Sequence, residues 1–132
     1  MNILKVLTPR RITGNTGEKL AVKFLKKNKY RILEKNFVAN GHEIDIIAYK
    51  DKTVVFAEVK TRTVKADCDS HFGVPSSAVD RKKRSHLLDA ARMYLKTLKK
   101  YKQPRMDVIE VWLDNDRNVV DINHIRNAYG SK

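Results

Sequence analysis

A single cysteine, Cys68, stands in 132 residues. An internal disulfide is excluded, and a lone thiol fits a reducing compartment. Long hydrophobic runs are missing too. The opening M-N-I-L-K-V-L-T-P-R-R has too short an apolar run for a signal peptide, and no stretch approaches the ~20 residues that span a bilayer. The expected compartment is the cytoplasm, with no membrane partner. His42, His71, His86 and His124 lack zinc-ligand spacing, and Cys68 has no second thiol near it, which removes a zinc site. These histidines are expected on the surface or in loops. Repeats, low-complexity runs and internal linkers are absent. Acidic residues are also scarce, 15 against 28 Lys plus Arg, for a net charge of +13. That excess favours a polyanionic partner, nucleic acid first and an anionic membrane surface second.

What is present suits one domain. The length allows a real core, and a hydrophobic content of 42% excludes a disordered tail as the whole chain. A basic lead-in is expected over residues 1–13, then a single domain over 14–132. The organising stretch is Gly41 to Arg62, G-H-E-I-D-I-I-A-Y-K-D-K-T-V-V-F-A-E-V-K-T-R. Two β-branched and aromatic runs broken by K-D-K-T form a hairpin signal. A turn symmetric about Asp51 and Lys52 sets Tyr49 against Val54, Ile47 against Phe56, Asp45 against Glu58 and Glu43 against Lys60. Alternation puts all eight on one face. The other face holds Ile44 with Val59, Ile46 with Ala57 and Ala48 with Val55. Two carboxylates directly opposite each other destabilise a sheet, so a shared proton, a cation or a divalent metal must offset them. Asp45, Glu58 and Lys60 at the end of a buried hairpin suggest a metal site. A one-residue bulge in the turn would separate the two acids.

A first helix is expected from Asn15, where Asn15 and Glu18 have capping-box spacing and Leu20, Ala21, Phe24 and Leu25 make an apolar stripe. Glu18 borders that stripe and can reach over the sheet edge; plain capping is the alternative. Tyr30 to Val38 reads as a strand, Asn40-Gly41 as a turn, and Thr63 to Ser77 as a polar loop. A second helix carries Leu87, Leu88, Ala91, Tyr94, Leu95 and Leu98 on one face, capped by Ser77 or Asp80 and closed off by Pro104. Its first turns hold Arg81, Lys82, Lys83 and Arg84. Such a cluster opposes the helix dipole, so a phosphate contact is the preferred explanation and a solvated charge run the alternative. Lys83 and Arg84 project toward the sheet. Arg105 to Leu113 and Val119 to Ile122 read as strands, and Asn123 to Tyr129 as a short helix. A structural role is expected for Asp107, and core positions for Trp112 and Tyr94. Helices on both faces of a mixed sheet follow from the two apolar hairpin faces.

E-I-D-I-I-A followed by V-F-A-E-V-K-T-R resembles the D…ExK core of the PD-(D/E)XK nuclease superfamily. The whole chain, over about residues 11 to 130, resembles the YraN-like family, distantly similar to archaeal Holliday-junction resolvases. The supporting blocks are G-E-K-L-A from Gly17, F-G-V-P from Phe72, A-V-D-R-K-K from Ala78, R-M-D-V-I from Arg105 and H-I-R-N-A-Y from His124. The resemblance implies a restriction-endonuclease-like α/β/α sandwich with a central mixed sheet. It implies that Asp45 and Glu58, with the Val59 carbonyl, hold a divalent metal, that Lys60 orients or activates water, and that Glu18 completes an acidic cluster. His42, between Gly41 and Glu43, departs from the usual pattern only in the loop entering the strand.

Carboxylate ligands suit Mg²⁺ or Mn²⁺, and phosphodiester hydrolysis needs such an ion. The expectation is a Mg²⁺-dependent endonuclease on structured or branched DNA, with Arg62, Lys82, Lys83 and Arg84 on the phosphates. A homodimer would be needed for junction resolution. Two rivals are a non-catalytic nucleic-acid-binding protein on the same fold, and a basic structural protein of a ribonucleoprotein with its acids salt-bridged.

Overall fold

In a computed structural model of the chain, the described residues are 9–64, 81–100 and 102–128, with side chains from Thr16 onward and, in the second helix, from Arg84. Two helices and five strands follow in the order α1 (Pro9–Lys27), β1 (Arg31–Ala39), β2 (His42–Lys50), β3 (Thr53–Thr63), α2 (Arg81–Leu95), β4 (Gln103–Leu113), β5 (Val119–Ile125). The strands form one sheet in the order β1-β2-β3-β4-β5. All neighbours are antiparallel except β3 and β4, whose parallel crossover carries α2. The sheet is mixed, with α1 on one face and α2 on the other, as expected.

The β1–β2 and β2–β3 hairpins close through two-residue turns. Asn40 and Gly41 have φ of 54° and 75°, and Asp51 and Lys52 of 51° and 63°. Left-handed backbone at both central residues matches the twist of the flanking strands. The second turn fixes the expected register over Lys50↔Thr53, Tyr49↔Val54, Ala48↔Val55, Ile47↔Phe56 and Ile46↔Ala57. Ile46, Ala48, Val55 and Ala57 bury against Ala21 and Leu25 of α1. Ile47, Val54 and Phe56 bury against Leu87, Ala90, Ala91 and Tyr94 of α2. Seven side chains larger than alanine removed from water on each face, at ~1.5–3 kcal/mol apiece, supply the main drive for the sandwich.

Two boundaries differ from expectation. Helix α1 starts at Pro9, so Asn15 and Glu18 lie inside it and do not cap it. Proline is at home in a first helical turn, where its missing N–H would go unpaired anyway. Glu18 is thereby free of a capping role. Strand β5 runs on through Asn123 and His124 to Ile125, and residues 126–128 form a turn; the pairing of β5 with Val108 to Leu113 overrides the local helical pattern. The loop from residue 65, with F-G-V-P and the capping candidates Ser77 and Asp80, lies outside the described residues. Among those described, no helix is long and apolar enough to cross a membrane.

Candidate active site

The β2–β3 ladder stops at Ile46↔Ala57, one step before Asp45 would face Glu58. On the other side of β2, the rungs Lys35↔Ile46 and Phe37↔Ile44 flank Asp45, and none joins it to Asn36. Asn36 has left-handed backbone, φ 55°. Alternation fails at the same point: Ile46 packs on the α1 side and Ile44 on the α2 side. This corrects the expected pairing of Ile44 with Val59. It also corrects the rungs Asp45–Glu58 and Glu43–Lys60, which do not form. Like charges forced opposite each other disfavour continued pairing. The strands part instead, and Asp45 Oδ2 accepts the N–H of Val59 at 2.8 Å. An N–H that the ladder gives up is satisfied by the carboxylate that broke it.

Asp45 lies where two clefts meet. One, of about 160 Å³ on the α2 side, is lined by Glu43, Asp45, Glu58 and Leu87 among others. The other, of about 270 Å³ on the α1 side, is lined by Glu18, Lys19, Lys35 and Asp45 among others. Burial pushes the Asp45 carboxyl up to about 6; the negative charges of Glu18, Glu58 and Glu43 add to the rise, against the Val59 hydrogen bond. Burial and Glu43 also raise Glu18, which Lys35 partly offsets. Asp45, Glu58 and Glu18 are therefore electrostatic neighbours, though they come from different elements. Lys60 Nζ sits 3.2 Å from Glu58 Oε2, with both side chains under a fifth exposed. Among the described residues, no three Asp, Glu, His or Cys side chains form a ready ligand set for a metal.

The basic residues divide. Arg62 does not stand free over the site. Its Nε donates to Glu110 Oε2 at 3.1 Å, and its guanidinium lies 5.9 Å from the Trp112 ring centre. Arg84 is half-buried in the first turns of α2. Lys82 and Lys83 occupy the same turn, with side chains outside the described residues. Val59 turns its side chain to the α1 face, next to Glu58 on the other.

Two buried acids, Asp107 and the unanticipated Glu110, are centres of order. Glu110 is fully buried and takes hydrogen bonds from Arg62 and from Asn123 Nδ2 at 3.1 Å. Asp107, 1% exposed, receives Arg105 Nε at 2.9 Å and Nη2 at 2.8 Å and the Asn127 N–H at 2.9 Å, with His124 Nε2 at 2.7 Å. Burial would raise the Asp107 carboxyl, but the contacts of His124, Arg105 and Asn127 together hold it below its usual value. Arg105 also donates to Tyr30 Oη at 2.8 Å. The structural role expected for Asp107 holds, whereas His124 is an interior residue and not a surface one. The available signal was an acid inside an apolar strand, M-D-V-I-E-V-W-L, since a buried charge must be paired.

A family model described as "Uncharacterised protein family UPF0102" matches residues 17–111. The chain belongs to the UPF0102 family. This is the YraN-like group of PD-(D/E)XK nuclease-like proteins. A UPF0102 protein of Caldanaerobacter subterraneus is 42% identical over 123 residues, covering 91% of this chain and 96% of its own. One of Caldicellulosiruptor saccharolyticus is 43% identical over 121 residues, 91% and 98% of the two chains. One of Geobacter metallireducens is 40% identical over 117 residues, 88% and 90%. The UPF0102 match begins at Gly17, beside Glu18, and includes Asp45, Glu58, Lys60 and Glu110.

Proposed function

We propose that the protein is a Mg²⁺- or Mn²⁺-dependent endonuclease acting on structured or branched DNA. The observation that carries this reading is the break in the sheet at Asp45, whose carboxyl shares a cleft with Glu58 and is pushed up to about 6 by burial and by three acidic neighbours, while Lys60 pairs with Glu58. Negative charge gathered in a half-buried gap calls for a cation. The donors are hard oxygens, and two carboxylates with the Val59 carbonyl leave most coordination positions to water and substrate phosphate, which suits Mg²⁺.

When bound, such an ion polarises the phosphodiester and lowers the pKa of water. Asp45 and Glu58 would hold it, and the Val59 N–H fixes the direction of Asp45. Glu18 deepens the negative field from α1. Lys60, held by Glu58, would orient the attacking water or stabilise charge on the phosphate. Lys82, Lys83 and Arg84 would grip flanking phosphates, and Arg62 would do so from its seat on Glu110. Junction resolution would take two copies, hence a homodimer. The lone cysteine favours the reducing cytoplasm as the place of action.

A non-catalytic nucleic-acid binder is the second reading. It is favoured by one observation, that no three described acidic or imidazole side chains make a ready ligand set. Four-way junction, flap and plain duplex DNA, incubated with and without Mg²⁺, separate the two. The expected result is Mg²⁺-dependent cleavage that falls at least ~100-fold in Glu58→Ala and Lys60→Ala. No cleavage of any substrate, or cleavage unchanged by both substitutions, would leave only the binder.

A further inference from the structure

The hairpin-turn end of the sheet, away from the acidic gap, gathers cations from five segments. Lys29 follows α1, Arg31 opens β1, Lys50 ends β2, Lys52 sits in the turn, and Lys99 and Lys102 follow α2. Topology brings them together, because α1, β2 and α2 all end here while β1, β3 and β4 all begin here. Gln103 N–H bonds to the Lys52 carbonyl at 3.2 Å, and Arg31 pairs with Tyr49. None of these six cations is ion-paired among the described residues. Aromatic faces hold three of them. Arg31 and Lys102 lie 5.9 and 5.3 Å from the Tyr49 ring centre, and Lys50 lies 5.0 Å from that of Tyr30. Cation–π contacts steady a charge without cancelling it.

Two of the lysines occupy positions that the backbone reserves for other residues. Tyr30 N–H bonds to the Leu25 carbonyl and Lys29 N–H to that of Lys26, the pattern in which glycine ordinarily ends a helix. Lys29 has φ 74° there. Lys52 has φ 63° at the second turn position, again a glycine position. Both side chains are exposed, so neither is kept for packing. Helix-dipole compensation explains a cation after α1, and Lys50 Nζ donates to the Asn28 carbonyl at 2.9 Å just past that helix, but neither explains Arg31, Lys52 or Lys102. Local rules broken without a packing gain point to function.

We propose that this end is a second nucleic-acid-binding surface, on which Lys29, Arg31, Lys50, Lys52, Lys99 and Lys102 hold duplex phosphates away from the acidic gap. It rests on the nucleic-acid reading above but not on cleavage. Five strand residues separate Lys52 from Glu58 and seven separate it from Lys60, on the order of 20 Å or more. A substrate touching both ends therefore lies along the sheet as an extended arm, and the surface sets a minimum length for it. A duplex suits the patch better than a membrane. The exposed large apolar side chains Val38, Val119 and Val120 lie at the other end of their strands, and Met93 is alone on α2, so among the described residues no apolar anchor accompanies these cations.

Fluorescence anisotropy of a labelled duplex over a salt series tests this, with wild type, Lys29→Gly/Lys52→Gly and Lys99→Gln/Lys102→Gln. Glycine relieves the backbone, so the first variant is expected to melt no lower than wild type while binding the duplex ~5–30-fold more weakly at ~0.1 M salt. Its log–log salt slope should flatten by about 2. The glutamine pair should weaken binding likewise. Unchanged affinity and slope in both variants would overturn the second surface and leave the nuclease reading intact. So would weakened binding to phosphatidylserine vesicles with duplex binding unchanged. Failure of wild type to bind any duplex would overturn both.

Discussion

At the scale of single residues, Asp45 and Asp107 are opposites. Both carboxylates are withdrawn from water, but Asp107 meets an arginine, a histidine and a backbone N–H, whereas Asp45 meets one backbone N–H and three acids. The pH signs differ accordingly. Asp45 has a raised folded pKa, so its folded state binds the extra proton and stability rises as pH falls from about 6 toward the unfolded value of 3.8. Asp45→Asn, which keeps an oxygen for Val59, is expected to stabilise the metal-free protein by ~1–2 kcal/mol at about pH 7.5, with the gain vanishing near pH 4. Thermal melts across pH check this; a lower melting temperature at neutral pH would contradict it. Asp107, with its lowered pKa, stabilises above its unfolded value of 3.8, and that contribution is lost as pH falls below it. Asp107→Ala takes the buried carboxylate away from Arg105, His124 and the Asn127 N–H and is expected to cost ~3–5 kcal/mol in urea unfolding, while Asp89→Ala on the exposed Arg92 pair costs under ~1. The side chains of the Asp45 site were legible, because an acid, an acid and a lysine stand out in apolar strands. Their spatial relation was not: repulsion opened the ladder that would have paired them, and no periodicity encodes that.

Elements carry the site through close approach. Gly17 lies buried inside α1, where glycine costs ~1 kcal/mol relative to alanine. A β-carbon there would stand 3.2 Å from Thr61 Cβ and run into its hydroxyl. Helix α1 can thus lie directly on β3, with Glu18 at the edge of the gap. Gly17→Ala is expected to destabilise by ~1–3 kcal/mol despite the better helix former, through overpacking. Thr61→Ala should be mild alone and should restore most of the loss in the double variant, as a coupling energy from chemical denaturation would show. Additive effects would mean that the helix does not rest on Thr61. The hairpin register followed from its turn, since two left-handed residues leave no slack. The start of α1 did not follow, because Asn15–Glu18 and Pro9 both satisfy rules for a helix start, and local spacing cannot choose between them.

For the whole molecule, charge is unevenly spread. A protein of net +13 keeps an acidic gap in a sheet whose hairpin-turn end is basic. The α/β/α layering was legible from the two apolar faces of one hairpin and the apolar stripes of two helices. The gathering of cations at the turn end was not, because it depends on where every chain segment stops. The acidic gap is the central claim, and calorimetric titration with Mg²⁺ or Mn²⁺ at about pH 7.5 tests it most directly. Wild type is expected to bind the ion and to melt higher in its presence, and Asp45→Asn and Glu58→Gln to lose both effects. An ion that neither binds nor stabilises wild type, or that stabilises the two variants equally well, would contradict it.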